Sequence, residues 1–238
     1  MKIAVFGDIH GNIEALKEAY RAAAEKNVDK MFHLGDLGGY APSVNEVVDF
    51  VIEHGIAGVQ GNYDESVAND RAHCGCKYED PIQEEMATMS FGWTKKHVTQ
   101  RAREYMKNLP SQISLACHGK KLVIFHATPL KNNLYWHEDI PEKFFKEMAA
   151  KVDADIMVYW HTHKPYRKDM DGKIFINAGS VGKSKDGDPR ACVAIIEITP
   201  GSVNTDFLRV EYDLEEVASA IVKSGLPIYF AERLKQAK

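Results

Sequence analysis

The chain has 238 residues, is 45% hydrophobic and carries a formal net charge of −4. That length is enough for one substantial core, and mild acidity without a basic stripe argues against a protein that grips nucleic acid by its phosphates. No run of 18 apolar residues occurs, and Met1-Lys2 leads straight into a short apolar run instead of a signal sequence. The expectation is a soluble, cytoplasmic protein with no membrane partner. Four cysteines (Cys74, Cys76, Cys117 and Cys192) are too few for a disulfide framework in a chain this long.

Residues 2–6 form an apolar run that ends in Gly7-Asp8-Ile9-His10. Ile13, Leu16, Ala19, Tyr20 and Ala23 then share one helical face. Residues 31–34 run into Gly35-Asp36, and Val44, Val47, Val48, Val51 and Ile52 repeat the three-four spacing. Ser43 and Glu46 make a capping-box pattern before that second helix. Residues 56–60 run into Gly61-Asn62-Tyr63-Asp64. Strand, helix, strand, helix, strand predicts a parallel sheet with right-handed crossovers.

Residues 80–98 and 99–109 read as helices, so 65–110 is expected to be a helical insertion within a single 1–238 domain, one that either caps the site or covers a sheet face. A strand follows at 111–116. Residues 122–125 are apolar and end at His126; residues 156–159 end at Trp160-His161-Thr162-His163. From Pro165 onward the texture is β-rich, with strands at 174–176, 191–198 and 203–212 and turns at Asp171-Gly172 and Pro200-Gly201, which favours antiparallel hairpins. Leu214, Val217, Ala218, Ile221 and Val222 mark a late helix, N-capped by Asp213 and ended by Gly225.

Five apolar runs therefore end in potential metal ligands, and the carboxyl ends of strands are where α/β sheets build sites. Asp8 and His10 are two residues apart, as are His161 and His163, and residues so spaced at a strand end point to the same side. Imidazole with carboxylate suits Mn, Fe, Ni or Zn better than Ca. Asp36 is placed to bridge two ions, and the neutral Asn62 leaves the site more positive and so receptive to phosphate. Two divalent ions about 3.5–4 Å apart can clamp a phosphoryl displacement and make water nucleophilic near neutral pH.

The order Asp8-x-His10, Gly35-Asp36, Gly61-Asn62-x-Asp64, His126 and His161-x-His163 resembles the calcineurin-like metallophosphoesterase superfamily, and most closely its small single-domain bacterial and archaeal phosphodiesterase branch. The likeness covers residues 8–182. It implies a two-sheet β sandwich flanked by helices, a four-layer α/β/β/α fold. It implies a first metal on Asp8, His10, Asp36 and His163 and a second on Asp36, Asn62, His126 and His161. It also implies hydrolysis of phosphodiesters or phosphoanhydrides of a phosphorylated small molecule or nucleotide, with a metal-bridging hydroxide as nucleophile and Asp36, Asn62 and Tyr63 in the catalytic set. A dinucleoside polyphosphate hydrolase is the alternative within that chemistry. A non-catalytic protein-interaction scaffold is the alternative of another class, disfavoured by the complete ligand set.

Three positions depart from the family pattern; the least of them is Ala127, which follows His126 where members of the small branch often have Gly. Tyr63 replaces a His that in much of the family stabilises or protonates the reacting phosphate; as a proton donor a phenol near pKa 10 is the poorer acid at pH 7. Trp160 stands where Gly is usual and is expected to wall the pocket against substrate or to crowd His161. Elsewhere, His33 is expected to be a buried, hydrogen-bonded ring. Cys74-Gly75-Cys76 has C-x-C and not C-x-x-C spacing, which points to a structural loop, or to one at the pocket edge. Residues 177–182 are expected to support the metal loops, with Ser180 a candidate to contact substrate. Among Lys164, Arg167, Lys183, Lys185 and Arg190, one or two are candidates to contact a phosphate tail.

Overall fold

The computed structural model describes residues 1–78 and 80–238. In chain order its elements are β1 (Lys2–Phe6), α1 (Ile13–Glu25), β2 (Lys30–His33), α2 (Val44–Glu53), β3 (Ala57–Gly58), α3 (Asn62–Ala68), α4 (Pro81–His97), α5 (Gln100–Asn108), β4 (Gln112–Cys117), β5 (Lys120–Phe125), α6 (Glu142–Ala149), β6 (Ile156–Tyr159), β7 (Tyr166–Met170), β8 (Lys173–Asn177), β9 (Ala191–Ile198), β10 (Val203–Val210), α7 (Leu214–Lys223) and α8 (Ile228–Gln236). They form two five-stranded mixed sheets, ordered β10-β9-β1-β2-β3 and β4-β5-β6-β8-β7. The sheets pack face to face with helices on their outer sides, the α/β sandwich that the family likeness implies.

Burial of both faces explains why the central strands are continuous apolar runs. On β1, Ile3 and Val5 enter the core between the sheets, where they join Ile124, Val158 and Ile196. Ala4 and Phe6 point the other way, into a core with Leu16 of α1 and Val48 of α2. On the second sheet, Val123, Met157 and Phe175 turn outward onto Phe145 and Met148 of α6.

β1, β2 and β3 are parallel, as the strand-helix alternation predicts. The late strands do form hairpins, β7 with β8 and β9 with β10. They divide between the sheets, however: β9 closes on β1 antiparallel, while β8 lies parallel to β6.

Several sequence expectations need correction. Ser43 precedes α2 but its side chain makes no cap hydrogen bond; its backbone N–H instead donates to Gly11 O at 3.0 Å. The third strand shrinks to two residues, and β7, α6 and α8 lay outside the reading. Asp213 does cap α7, accepting from the Glu216 N–H at 2.8 Å. Within 65–110, of which residue 79 lies outside the described residues, α4 and α5 place Phe91, Ala102 and Met106 in the core with α1 and α2. Among the described residues no helix is long and apolar enough to cross a membrane.

Candidate metal centre

The expected ligands lie just beyond strand ends, and the backbone there is unusual. Asp8, His10, Asp36, His161 and His163 all have positive φ, between 39° and 60°. Non-glycine residues seldom adopt this left-handed region, and such strain, roughly 1–3 kcal/mol each, concentrates at functional sites. It also replaces the period-two argument. Neither Asp8 nor His10 belongs to β1; the left-handed kinks aim them. Surrounding contacts hold the kinks, since the His10 N–H donates to Asp36 O (2.8 Å) and the Gly182 N–H to Asp8 O (3.0 Å).

The kinks bring together two abutting groups, Asp8 with His10 and His163, and Asp36 with His126 and His161, with the ligand atoms of each group within 4.8 Å of one another. All six side chains are buried. Asp8 Oδ1 is 3.8 Å from His10 Nε2, and Asp8 Oδ2 is 3.5 Å from His163 Nε2. Asp36 Oδ2 lies between the groups, 4.0 Å from His10 Nε2 and 3.6 Å from His126 Nε2. Asn62 Oδ1 completes the second group at 3.0 Å from His126 Nε2, with His161 Nδ1 3.2 Å from the same nitrogen.

Three backbone carbonyls set the tautomers. His10, His126 and His163 each direct Nδ1 at one: Gly38 O (2.9 Å), Leu34 O (2.8 Å) and Lys183 O (2.7 Å). A carbonyl only accepts, so Nδ1 carries the proton and Nε2 offers a lone pair inward. Asn62 is oriented likewise: its Nδ2 donates to Cys74 O (2.9 Å) and Cys76 Sγ (3.2 Å), which turns Oδ1 toward His126. Two acceptors thus face each other at 3.0 Å. Both Asp8 oxygens, His10 Nε2 and His161 Nε2 are buried without a hydrogen-bond partner. Facing lone pairs and orphaned buried oxygens are what a bound cation would satisfy, so this donor set fits bound metal.

The electrostatics agree. Burial pushes the Asp36 carboxyl up to about 8 against the opposing Tyr63 N–H. Burial, reinforced by Asp36, raises Asp8. Burial lowers His126 to about 4 and drives His10, His161 and His163 down as well. Without a cation, the carboxylates would hold protons and the imidazoles would refuse them; a bound cation would supply the missing positive charge.

A supporting shell surrounds these groups, and part of it escaped the sequence reading. Asp64 accepts from three backbone N–H groups, those of Asp36 (2.8 Å), Leu37 (2.9 Å) and Gly61 (3.0 Å), and so clamps the Asp36 loop onto the start of α3. Ser180 Oγ donates to Asp8 O (2.9 Å) and accepts from the Lys183 N–H (2.8 Å). Asn177 Nδ2 donates to Trp160 O (3.1 Å) and Thr162 Oγ1 (2.9 Å). Both hold metal loops, and Ser180 is too buried to reach substrate.

Tyr63 and Trp160 are not where a substrate contact would put them. Trp160 is 0% exposed and packs in the inter-sheet core, beneath His126 and not on the pocket wall. Tyr63 is 2% exposed, with its hydroxyl 3.4 Å from both Ser90 Oγ and Thr94 Oγ1 of α4. Burial raises its pKa far above that of an ordinary phenol, so it is a still weaker acid. What Tyr63 offers the centre is its backbone N–H, which donates to Asp36 Oδ1 at 2.8 Å. The rings beside the ligands are instead Tyr40, 4.6 Å from His10, and Tyr135, 4.5 Å from His161. Both sit in aperiodic loops, where no sequence signal marks them.

A two-sheet sandwich with twin Asp/His clusters at its strand ends defines a metallophosphoesterase-type protein. The calcineurin-like phosphoesterase superfamily domain matches residues 1–201, and the chain belongs to that superfamily. A curated relative, the uncharacterized protein MJ0912 of Methanocaldococcus jannaschii, is 30% identical over 249 residues, spanning 98% of this chain and 96% of the relative. Among solved structures, a metallophosphoesterase from Sphaerobacter thermophilus is 25% identical with a TM-score of 0.79, covering 100% of this chain and 99% of its own. The hypothetical protein PH1004 from Pyrococcus horikoshii shares the fold at a TM-score of 0.84 and 20% identity, over 100% of this chain and 98% of its own.

Proposed function

We propose that this chain is a cytoplasmic, metal-dependent phosphoric ester hydrolase acting on phosphodiesters or phosphoanhydrides of small molecules or nucleotides. The observation that carries the reading is the Asp36 carboxylate, set between His10 and His126 where it can serve both clusters. Asp8, His10, Asp36 and His163 would hold one ion; Asp36, Asn62, His126 and His161 would hold the other. The donor set suits Mn, Fe, Ni or Zn. When bound, such ions supply Lewis acidity and a nucleophilic water at neutral pH.

The rest is done by the chain. Carbonyl-locked histidine tautomers keep the lone pairs inward, so little reorganisation accompanies binding. The neutral Asn62 leaves net positive charge for a phosphate. Tyr63 positions Asp36 through its backbone, and its buried hydroxyl is poorly suited to protonate a leaving group. This favours diesters and anhydrides, whose leaving groups depart without a strong general acid, over alkyl monoesters.

The test is metal analysis of the purified protein coupled to a hydrolysis panel with added Mn, comparing activated diesters, monoesters and dinucleoside polyphosphates. Asp36→Asn should lose metal and cut turnover by at least about a hundredfold. Normal turnover in that variant would refute the assignment. A wild-type protein that neither retains nor responds to any transition metal would favour the interaction scaffold.

A further inference from the structure

A cavity of about 510 Å³ adjoins the candidate metal centre. It reaches Thr162, the residue between His161 and His163, and its wall includes Lys77, Lys164, Lys185, Arg233 and Lys238 along with Tyr135. No aspartate or glutamate is among its described lining residues. That is a strong bias in a chain with 34 acidic and 30 basic residues.

The five cations come from four separate parts of the chain. Lys77 precedes α4, Lys164 follows the last candidate ligand, Lys185 lies beyond β8, and Arg233 belongs to α8 with Lys238 just after it. A solvated face usually mixes signs along one element; here the fold gathers one sign from four segments. The placement of α8 is itself fixed. Phe230 packs on Tyr40 with ring centroids 5.2 Å apart, and the Trp93 indole N–H of α4 donates to Ser224 O at 2.9 Å. The Arg233 guanidinium lies 5.6 Å from the Tyr229 ring centroid. On the wall, Thr162 lies between His161 and His163, and Lys164 directly follows His163. The basic wall is therefore continuous with the centre.

We propose that this cavity is a second anion subsite, built to hold a polyphosphate chain that extends beyond the scissile phosphate. As a substrate determinant it rests on the hydrolase reading above; as an anion site it stands on its own geometry. Arg233 brings a planar fork matched to phosphate oxygens, and the exposed Lys77 and Lys164 bring point charges. A substrate with one bare phosphodiester would leave this wall unused, whereas a nucleoside or dinucleoside polyphosphate would span both regions.

The direct test is calorimetric titration of the metal-free protein with inorganic tripolyphosphate. Saturable binding is expected, weakening as salt rises. Arg233→Ala and Lys77→Glu should each reduce affinity about tenfold, and Arg233→Lys should recover part of the loss. Lys77 is exposed, so its variant reports even if Arg233→Ala disturbs α8. In the metal-loaded protein, the kcat/KM for a dinucleoside tetraphosphate relative to that for bis(4-nitrophenyl) phosphate should fall about tenfold in the same variants. Absence of tripolyphosphate binding, or affinities and ratios unchanged by these substitutions, overturns the subsite. Arg233-dependent binding without hydrolysis of any ester under any metal would sustain the subsite and sink the hydrolase reading instead.

Discussion

Cys76 touches the second cluster only through Asn62, and that makes its role measurable. The Asn62 amide has two N–H groups; one acceptor is Cys74 O and the other is Cys76 Sγ. Cys76→Ala removes one restraint on the rotation that aims Oδ1 at His126. The expected outcome is a loss of about tenfold in affinity for the second ion, as is usual when a ligand's orienting partner is deleted. Cys76→Ser should recover part of it, and metal titration reads both. Unchanged affinity in Cys76→Ala would assign the aiming to the Cys74 carbonyl alone.

Tyr63→Phe gives a contrasting prediction. The hydroxyl sits at long distances from two other hydroxyls, so its removal should cost no more than about 1 kcal/mol of stability. It should leave the dependence of rate on leaving-group pKa unchanged across a series of aryl phosphodiesters. A selective slowing of the poorer leaving groups would restore Tyr63 as a proton donor. The candidate ligands themselves were legible in the sequence, because a metal site demands particular side chains at ordered positions. The substitute rings Tyr40 and Tyr135 were not: each reaches the centre only after the chain has closed on itself, and no spacing records that closure.

At the scale of elements, the loop after β8 shows why a segment without catalytic groups matters. Gly182 lies against the loop that carries Asp8 and His10; a Cβ there would come within 1.8 Å of Ile9 O. Gly182→Ala must therefore move the Asp8-Ile9-His10 backbone. It is expected to cost about 1–3 kcal/mol, as overpacking does, and to weaken binding of the first ion more than the second. Thermal melts with and without metal separate the two effects; an alanine accommodated with wild-type melting and metal affinity would contradict the close contact.

The same scale shows where the sequence falls silent. β1, β5 and β6 read clearly because burial on both faces makes them continuous apolar runs. β7 did not, because Tyr166–Met170 is a sheet edge in which Arg167, Lys168 and Asp169 stand at the surface, and edge strands resist pairing with such charges. α8 was missed because Gly225 and Pro227 interrupt the apolar pattern that marks α7. Its N-terminal turn starts directly after that proline.

For the molecule as a whole, His33 couples stability to pH. Its ring is wholly buried beside β3, where a Cβ on Gly58 would collide with it. Nδ1 accepts from the Gly35 N–H at 3.3 Å, and Nε2 lies 3.1 Å from the Tyr105 hydroxyl of α5. Burial lowers its pKa to about 3, against about 6.5 in an unfolded chain. Between those values the unfolded state binds a proton that the folded state refuses, so stability present above about pH 6.5 is lost as the pH falls. The slope from one such group approaches about 1.4 kcal/mol per pH unit. His10, His126, His161 and His163 are depressed by burial too, but bound metal would hold them neutral, so measurements belong at saturating metal. Urea denaturation between pH 7 and pH 4.5 should show wild-type stability falling more steeply than that of His33→Gln, whatever the absolute cost of the substitution. The difference between the two slopes is the His33 share. Parallel curves would mean that the ring takes up its proton in the folded state, which requires the β2–α5 contact to open to water before the rest of the molecule unfolds.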